Sequence, residues 1–253
     1  MKNFRSPQRP RKSTMLAGFA AVEEALKSGR PLDRVYLDNK LTGPQAGVLR
    51  KLAADNQVPV NYVPAVKLNS FNMPDHGGVI ALLSKVRYYQ LQDIISQVVE
   101  SGEAPLFLIL DGITDIRNIG GIARTAYCCG VHAIIIPDKG VGALNEDAIL
   151  TSAGALEKIP VCRVSSLMKA VDELHLNGIT VLAAEMTADK TIDKADFSVP
   201  CAVVMGSEEK GIYPALMKIC DEKIKIPMRG GFESLNVSVA TGMILYEIMK
   251  QRK

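Results

Sequence analysis

A chain of 253 residues leaves room for two modest domains, and an apolar share of 47% is enough to fill a core in each. The net charge is only +3, and five of the 30 basic residues (Lys2, Arg5, Arg9, Arg11, Lys12) fall within the first twelve positions; the remaining 25 face 27 acids, so any polyanion site on the body must be a local patch. No run approaches the roughly 18 apolar residues of a membrane helix, the basic stretch lacks the apolar core of a secretory signal, and five cysteines without a CxxC fit a reducing cytoplasm better than a disulfide framework.

In chain order, residues 1–14 read as a basic disordered arm. From Gly18 the pattern FAAVEEALKSG is helical, closed by Gly29 and Pro31. A strand is expected at Arg34–Leu37, a helix across Ala46–Asn56, and strands at Val58–Val63 and Gly78–Leu83. Residues 15–88 thus form a small α/β unit. His76, beside two glycines, could contact a ligand but is read more simply as a loop histidine lining a turn. Residues 89–104 are assigned to a linker holding a short helix and a glycine/proline stop.

From residue 105 onward strand and helix signals alternate. The run Leu106–Leu110 is continuously apolar, as in a strand covered on both faces. Further strands are expected at 133–136, 159–164, 179–184, 201–205 and 223–227, with helices at 118–129, 145–156, 166–176 and 213–219. Such alternation predicts an α/β fold with a mostly parallel sheet wrapped by helices. The last element is a long helix after a glycine-bearing loop. Asn236 is placed to cap it through the N–H of Ser238 or Val239. Val237, Ala240, Met243, Ile244 and Ile248 recur at helical spacing, which buries one face, and Gly242 in mid-helix implies a close contact on its side.

Ligands of open α/β sheets gather outside the carboxyl ends of strands, and three such ends combine glycine with polar residues. The first, DGITDIRNIGGIARTA, sets Asn118 and Arg124 around a helix start with Gly120 and Gly121 between them. Either the glycines and Arg124 hold a phosphate there, or the stretch is a capped helix with a surface arginine. The second is MGSEEKGI, with Gly206 and Glu208; the third is IKIPMRGGFESLNVSVAT, with Ser234, Leu235 and Asn236. Dinucleotide, P-loop, HExxH and Ser-His-Asp signatures are all missing, no metal site is expected, and His132 and His175 read as structural.

Taken in order, NxGxxxRxA, MGxExxG and IPMxGxxxSLNVSVAT resemble the three motifs of the SpoU (SPOUT superfamily) RNA ribose 2′-O-methyltransferases. The resemblance spans nearly the whole chain. AGFAAVEEAL and HGGVIALL in the leading unit are most similar to the guanosine 2′-O-methyltransferases of bacterial 23S rRNA. It implies an RNA substrate-binding domain of ribosomal-protein-like type at 15–88 and a SPOUT methyltransferase domain at 105–253 tied in a C-terminal trefoil knot. S-adenosyl-L-methionine is the implied cofactor, held by Gly206, Ile226 and Leu235, with Met205 and Met228 lining its apolar slot. Arg124, Asn118, Glu208, Ser234 and Asn236 are the implied catalytic residues, with Glu208 expected to hold Arg124 in place. Implied partners are RNA, rRNA first, and a second copy of the chain joined through the catalytic domain. For that pairing the last helix offers Val239, Met243, Tyr246 and Met249, off its core-facing line. Two other readings stay open: methylation of tRNA, and a catalytically silent RNA-binding assembly factor of the same fold.

Overall fold

The computed structural model describes residues 14–142, 144, 146–231 and 234–252. The basic arm, save its last residue, and the first residue of the helix expected from 145 lie outside the described residues. The chain divides between Lys85 and Val86 into two compact units.

The leading unit comprises β1 (Met15–Ala17), α1 (Phe19–Lys27), β2 (Leu32–Asp38), α2 (Pro44–Asp55), β3 (Val60–Val63), α3 (Ala65–Asn69) and β4 (Val79–Leu83). Its sheet runs β1-β4-β2-β3, with β4 antiparallel to both neighbours and β3 parallel to β2. Strand β1 was not expected; three residues are too few to show an alternation. Helix α2 opens on Pro44, whose fixed φ suits a first helical position. Val22, Leu26, Val35, Leu37, Leu49 and Val79 fill the core, each buried. His76 lines its turn: Nδ1 accepts from Gly78 N at 3.0 Å, and Nε2 pairs with Asn69 Oδ1 at 2.9 Å.

The second unit comprises β5 (Tyr88–Tyr89), α4 (Leu91–Glu100), β6 (Leu106–Asp111), α5 (Ile116–Cys128), β7 (Ala133–Pro137), α6 (Glu146–Thr151), β8 (Val161–Val164), α7 (Leu167–Leu176), β9 (Thr180–Ala184), β10 (Lys190–Thr191), β11 (Cys201–Gly206), α8 (Pro214–Lys218), β12 (Glu222–Lys225) and α9 (Val237–Gln251). Among the described residues the strands make one sheet, β10-β12-β9-β11-β6-β7-β8-β5, paired in parallel throughout. Continuous apolar strands follow from this, because each face meets a helix layer. In β6, Leu106, Leu108 and Leu110 point to the α5/α9 side, while Phe107 and Ile109 point to the α4/α7 side.

The segment expected to be a linker is part of this unit. Tyr88 and Tyr89 pair with Val161 and Cys162 at the sheet edge, and Leu91, Ile94, Ile95 and Val98 of α4 are buried. Each buried Leu or Ile contributes roughly 1.5–3 kcal/mol, which docks the short helix firmly. The helix expected over 145–156 also stops early. Ala153 and Gly154 take positive φ (50° and 82°), and a single 3-10 turn follows at Ala155–Glu157.

On α9, Val237, Ile244, Leu245 and Ile248 are buried, but Met243 is 42% exposed and lies with Val239, Tyr246 and Met249 on the outer side. Gly242 does face α5, yet an added Cβ would stand 3.7 Å from Thr125 Cγ2, an ordinary contact, so glycine is not required there. The far end of α9 is pinned by Arg252, whose guanidinium donates to the carbonyls of Phe197 (2.7 Å), Ala104 (2.6 Å), Pro105 (3.0 Å) and Val199 (2.8 Å).

Candidate active site

The carboxyl ends of β6, β9, β11 and β12 open on one side of the large sheet, and the polar residues of all three sequence stretches meet there. Helix α5 begins beyond β6, capped by Asp115, whose Oδ1 accepts from Arg117 N at 2.8 Å. Arg117 also donates through its guanidinium, which holds the Asp115 carboxyl below the usual carboxylate range. Gly120 and Gly121 are therefore inside a helix, not in a phosphate-cradling loop. A Cβ on Gly120 would lie 2.2 Å from Thr151 Oγ1, and one on Gly121 would lie 3.4 Å from Ser238 Cβ. Their role is to let α6 and α9 approach α5.

The second stretch makes a tight turn. Ser207 N donates to Gly211 O (3.2 Å) and Gly211 N to Ser207 O (2.8 Å), with Gly211 at φ +65°. The turn folds back directly over Gly206, where a Cβ would meet Gly211 C at 2.2 Å. Only glycine fits. Glu208 projects from this turn to the start of α9.

There Glu208 Oε1 accepts three hydrogen bonds: from Asn236 Nδ2 at 2.6 Å, Asn118 Nδ2 at 3.1 Å and Val237 N at 3.2 Å. Asn236 Nδ2 also donates to Asn118 Oδ1 at 3.0 Å. The other end of the same amide caps α9, Oδ1 accepting from Ser238 N at 3.0 Å and Val239 N at 3.4 Å, as its position in the sequence indicates. Three segments separated by up to 118 positions thus close one polar triangle.

Beside the triangle lies a cavity of about 340 Å³. Its apolar wall includes Met205, Ile226, Leu235, Val237 and Ile244, and Gly206, Glu208 and Ser234 bring polar atoms to it. Of the residues expected at a cofactor slot, Met205, Gly206, Ile226 and Leu235 line it; Met228, half-buried, does not. Ala184, Glu185 and Met186, which sequence reading passed over, also line it. Ala184 ends β9 and the other two follow it, and the rule about carboxyl strand ends applies to them equally.

Arg124 stands apart from the triangle. Six residues along a helix of 3.6 per turn separate it from Asn118 by about 120° of rotation. Its side chain is exposed and makes no hydrogen bond or ion pair among the described residues. Glu208, expected to hold Arg124, is bonded to the two asparagines instead. The remaining reactive groups are structural. His132 Nδ1 accepts from Leu106 N, and His175 pairs with Asp221. Burial pushes the thiols of Cys162 and Cys220 up to about 12 and about 11, which leaves them inert as nucleophiles.

Comparison with known proteins assigns each unit to a family of its own. The SpoU rRNA Methylase family profile matches residues 105–246, and that of RNA 2′-O ribose methyltransferase substrate binding matches 15–89. A relative from Bacillus subtilis (strain 168), which carries the name of a TrmH family tRNA/rRNA methyltransferase, YacO, is 37% identical over 93% of this chain and 94% of its own. The crystal structure of the SpoU methyltransferase AviRb from Streptomyces viridochromogenes, in complex with AdoMet, superposes with a TM-score of 0.60 at 25% identity, covering 94% of this chain and 90% of that one. The TrmH/SpoU tRNA modifying enzyme of A. aeolicus gives a TM-score of 0.54 at 29% identity, over 64% of this chain and 84% of its own.

Proposed function

The chain belongs to the SpoU rRNA methylase family and is an RNA methyltransferase, and from that premise we propose that it transfers a methyl group from S-adenosyl-L-methionine to a ribose 2′-hydroxyl, with a guanosine of 23S rRNA as the favoured target. The observation that carries the reading is the Glu208–Asn118–Asn236 triangle set at the wall of an apolar slot. The slot fits the cofactor on its own terms. It offers apolar sides to a flat adenine from Met205, Ile226, Leu235 and Ile244, and Gly206 lines it without a side chain of its own. Gly206, Ile226 and Leu235 would hold the cofactor, with Met205 behind them.

When bound, S-adenosyl-L-methionine supplies an activated methyl group on a sulfonium, so the protein's task is alignment of the acceptor and polarisation of its oxygen. Glu208 Oε2 accepts no hydrogen bond among the described residues and is open to a ribose hydroxyl. Asn118 and Asn236 fix the carboxylate from the other side, and Ser234 adds a hydroxyl at the slot. Arg124, exposed on another side of α5, grips the target phosphate from outside the triangle. It does not act as a base, since a guanidinium with pKa above about 12 stays charged. The hydroxyl proton then passes toward that phosphate.

The active species is a homodimer joined through the catalytic domain. Val239, Met243, Tyr246 and Met249 make an exposed apolar stripe on α9, 39–64% accessible, that no described element covers. Charged residues in place of Met243 and Tyr246 should give monomers of low activity by light scattering; an active wild-type monomer at nanomolar concentration would refute the pairing. The site of action is the cytoplasm, in keeping with free thiols at all five cysteines. Among the described residues no helix is long and apolar enough to cross a membrane. The tRNA reading remains a second candidate, because the relatives' names include both tRNA and rRNA. Incubation with labelled S-adenosyl-L-methionine and total RNA, followed by mapping of the labelled nucleotide, decides between them. Label on a base, or no label at all, would overturn the proposal.

A further inference from the structure

A second cavity, of about 700 Å³, adjoins the donor slot. The two share Ser207, Glu208, Lys210 and Gly211 of the turn and Val237 at the start of α9, so these separate them, with Glu208 set where they meet. A hydroxyl that is to be methylated must reach the donor's methyl beside Glu208, where the two cavities meet, and the second cavity is room for the rest of its nucleoside. Its size falls in the roughly 300–1,000 Å³ range of pockets that take nucleotide-sized ligands. Asp111, Asp115 and Glu209 line it. Lys210 lines it too, and Arg117 pairs with the Asp115 carboxylate, so the acids do not stand alone; a nucleoside whose ribose lies at Glu208 has its base directed to the mouth.

At the mouth stands Tyr213, 62% exposed. Its backbone is clamped on every side. Its N–H donates to Asp111 Oδ2 at 2.6 Å, Ile212 before it is 2% exposed, and Pro214 after it opens α8. An aromatic ring thrown outward from a rigid backbone has no folding role to account for it, and it forms a ready surface for stacking. We infer that Tyr213 is the platform on which the base of the target nucleotide, unpaired from its RNA, stacks while its ribose lies against Glu208. Stacking on an aromatic side chain is the common means of holding a splayed-out RNA base, and is tolerant of base identity. This inference rests on the RNA methyltransferase reading and adds to it a residue that binds the acceptor.

The chain has no tryptophan, which makes the test direct. Tyr213→Ala should raise the KM for total cellular RNA by roughly 5- to 100-fold, the loss expected when one stacked aromatic is removed. The dissociation constant for S-adenosyl-L-methionine, by calorimetry, should stay within about twofold. Tyr213→Phe should behave as wild type. Tyr213→Trp places a single fluorophore at the mouth, whose emission RNA should quench and S-adenosyl-L-methionine alone should not. The inference is overturned if Tyr213→Ala leaves the KM for RNA unchanged, if its loss tracks the cofactor constant, or if the tryptophan is blind to RNA. Should Tyr213→Ala fail to fold, the tryptophan emission decides alone. A Tyr213→Trp protein that is quenched by RNA, while the wild type methylates none of it, would sink the methyltransferase reading and spare the stacking platform.

Discussion

Helices α5 and α9 both open onto Glu208, and their first turns are built by opposite means. In α5 the cap is Asp115 and the site residue is Asn118, three positions later. In α9 a single residue serves both ends: Asn236 caps with its Oδ1 and reaches Glu208 and Asn118 with its Nδ2. The α5 arrangement separates folding from chemistry, while the α9 arrangement couples them. Any change at Asn236 therefore acts on stability and on the site together, and changes along α5 act on one or the other.

The largest effect expected from that separation is at Arg124. It is exposed, unbonded among the described residues, and on a different side of α5 from Asn118. Arg124→Ala should reduce methyl transfer by about 10²–10³-fold, as removal of a charge-stabilising donor does, with thermal stability within roughly 0.5 kcal/mol of wild type. Arg124→Lys should rescue little, because one ammonium cannot reproduce a planar, bidentate grip. Transfer at near wild-type rate by the alanine variant would remove Arg124 from the site.

Next come the glycines, which differ within α5 itself. Gly120→Ala drives a Cβ to 2.2 Å from Thr151 Oγ1 and 2.9 Å from Ser152 N, and should cost about 1–3 kcal/mol by overpacking. Gly121→Ala meets Ser238 Cβ at 3.4 Å, a tight contact, so the roughly 1 kcal/mol gain in helix propensity is largely offset. Gly242→Ala on α9, whose Cβ would meet Thr125 Cγ2 at an ordinary 3.7 Å, should stabilise by about 0.5–1 kcal/mol. Denaturant midpoints of the three variants give the order directly. A Gly120→Ala protein as stable as Gly242→Ala would mean that α6 is not seated against α5.

These glycines mark where sequence reading runs out. Alternation of apolar runs places six of the eight strands of the large sheet, because a strand buried on both faces has no other pattern to adopt; the two-residue edge strands β5 and β10 carry no such run. The Asn236 cap was legible from its offset to the apolar helix positions alone. The glycines of the first stretch were not, since GG beside a helix start reads the same whether a ligand or another helix approaches it. Glu208 as partner of the asparagines was equally hidden, as contacts across 90 and 28 positions leave no local trace. In the edge segment the short helix α4 is legible, but its pairing into the large unit is not, because two tyrosines are too short a run to announce a strand.

The smallest effect tests the two caps by acid. Asn236→Ala should lose about 0.5–2 kcal/mol through its cap, which a neutral amide oxygen keeps as the pH falls, besides its bond to the Glu208 carboxylate. Asp115→Asn keeps an oxygen that can cap but loses the charge at the helix N-terminus, a change of roughly 0.3–1 kcal/mol at neutral pH. Asp115 has a folded-state pKa below the ordinary 3.8 because Arg117 hydrogen-bonds its carboxylate. Its contribution is therefore complete above about 3.8 and is lost as pH falls through the lower, folded value. The gap in melting temperature between wild type and Asp115→Asn should be constant from neutrality to about pH 4 and close below it. The gap for Asn236→Ala should stay open across the same titration. If both gaps close together in acid, α9 is held by a charge near Asn236 rather than by the amide, and the contrast between the two helices fails.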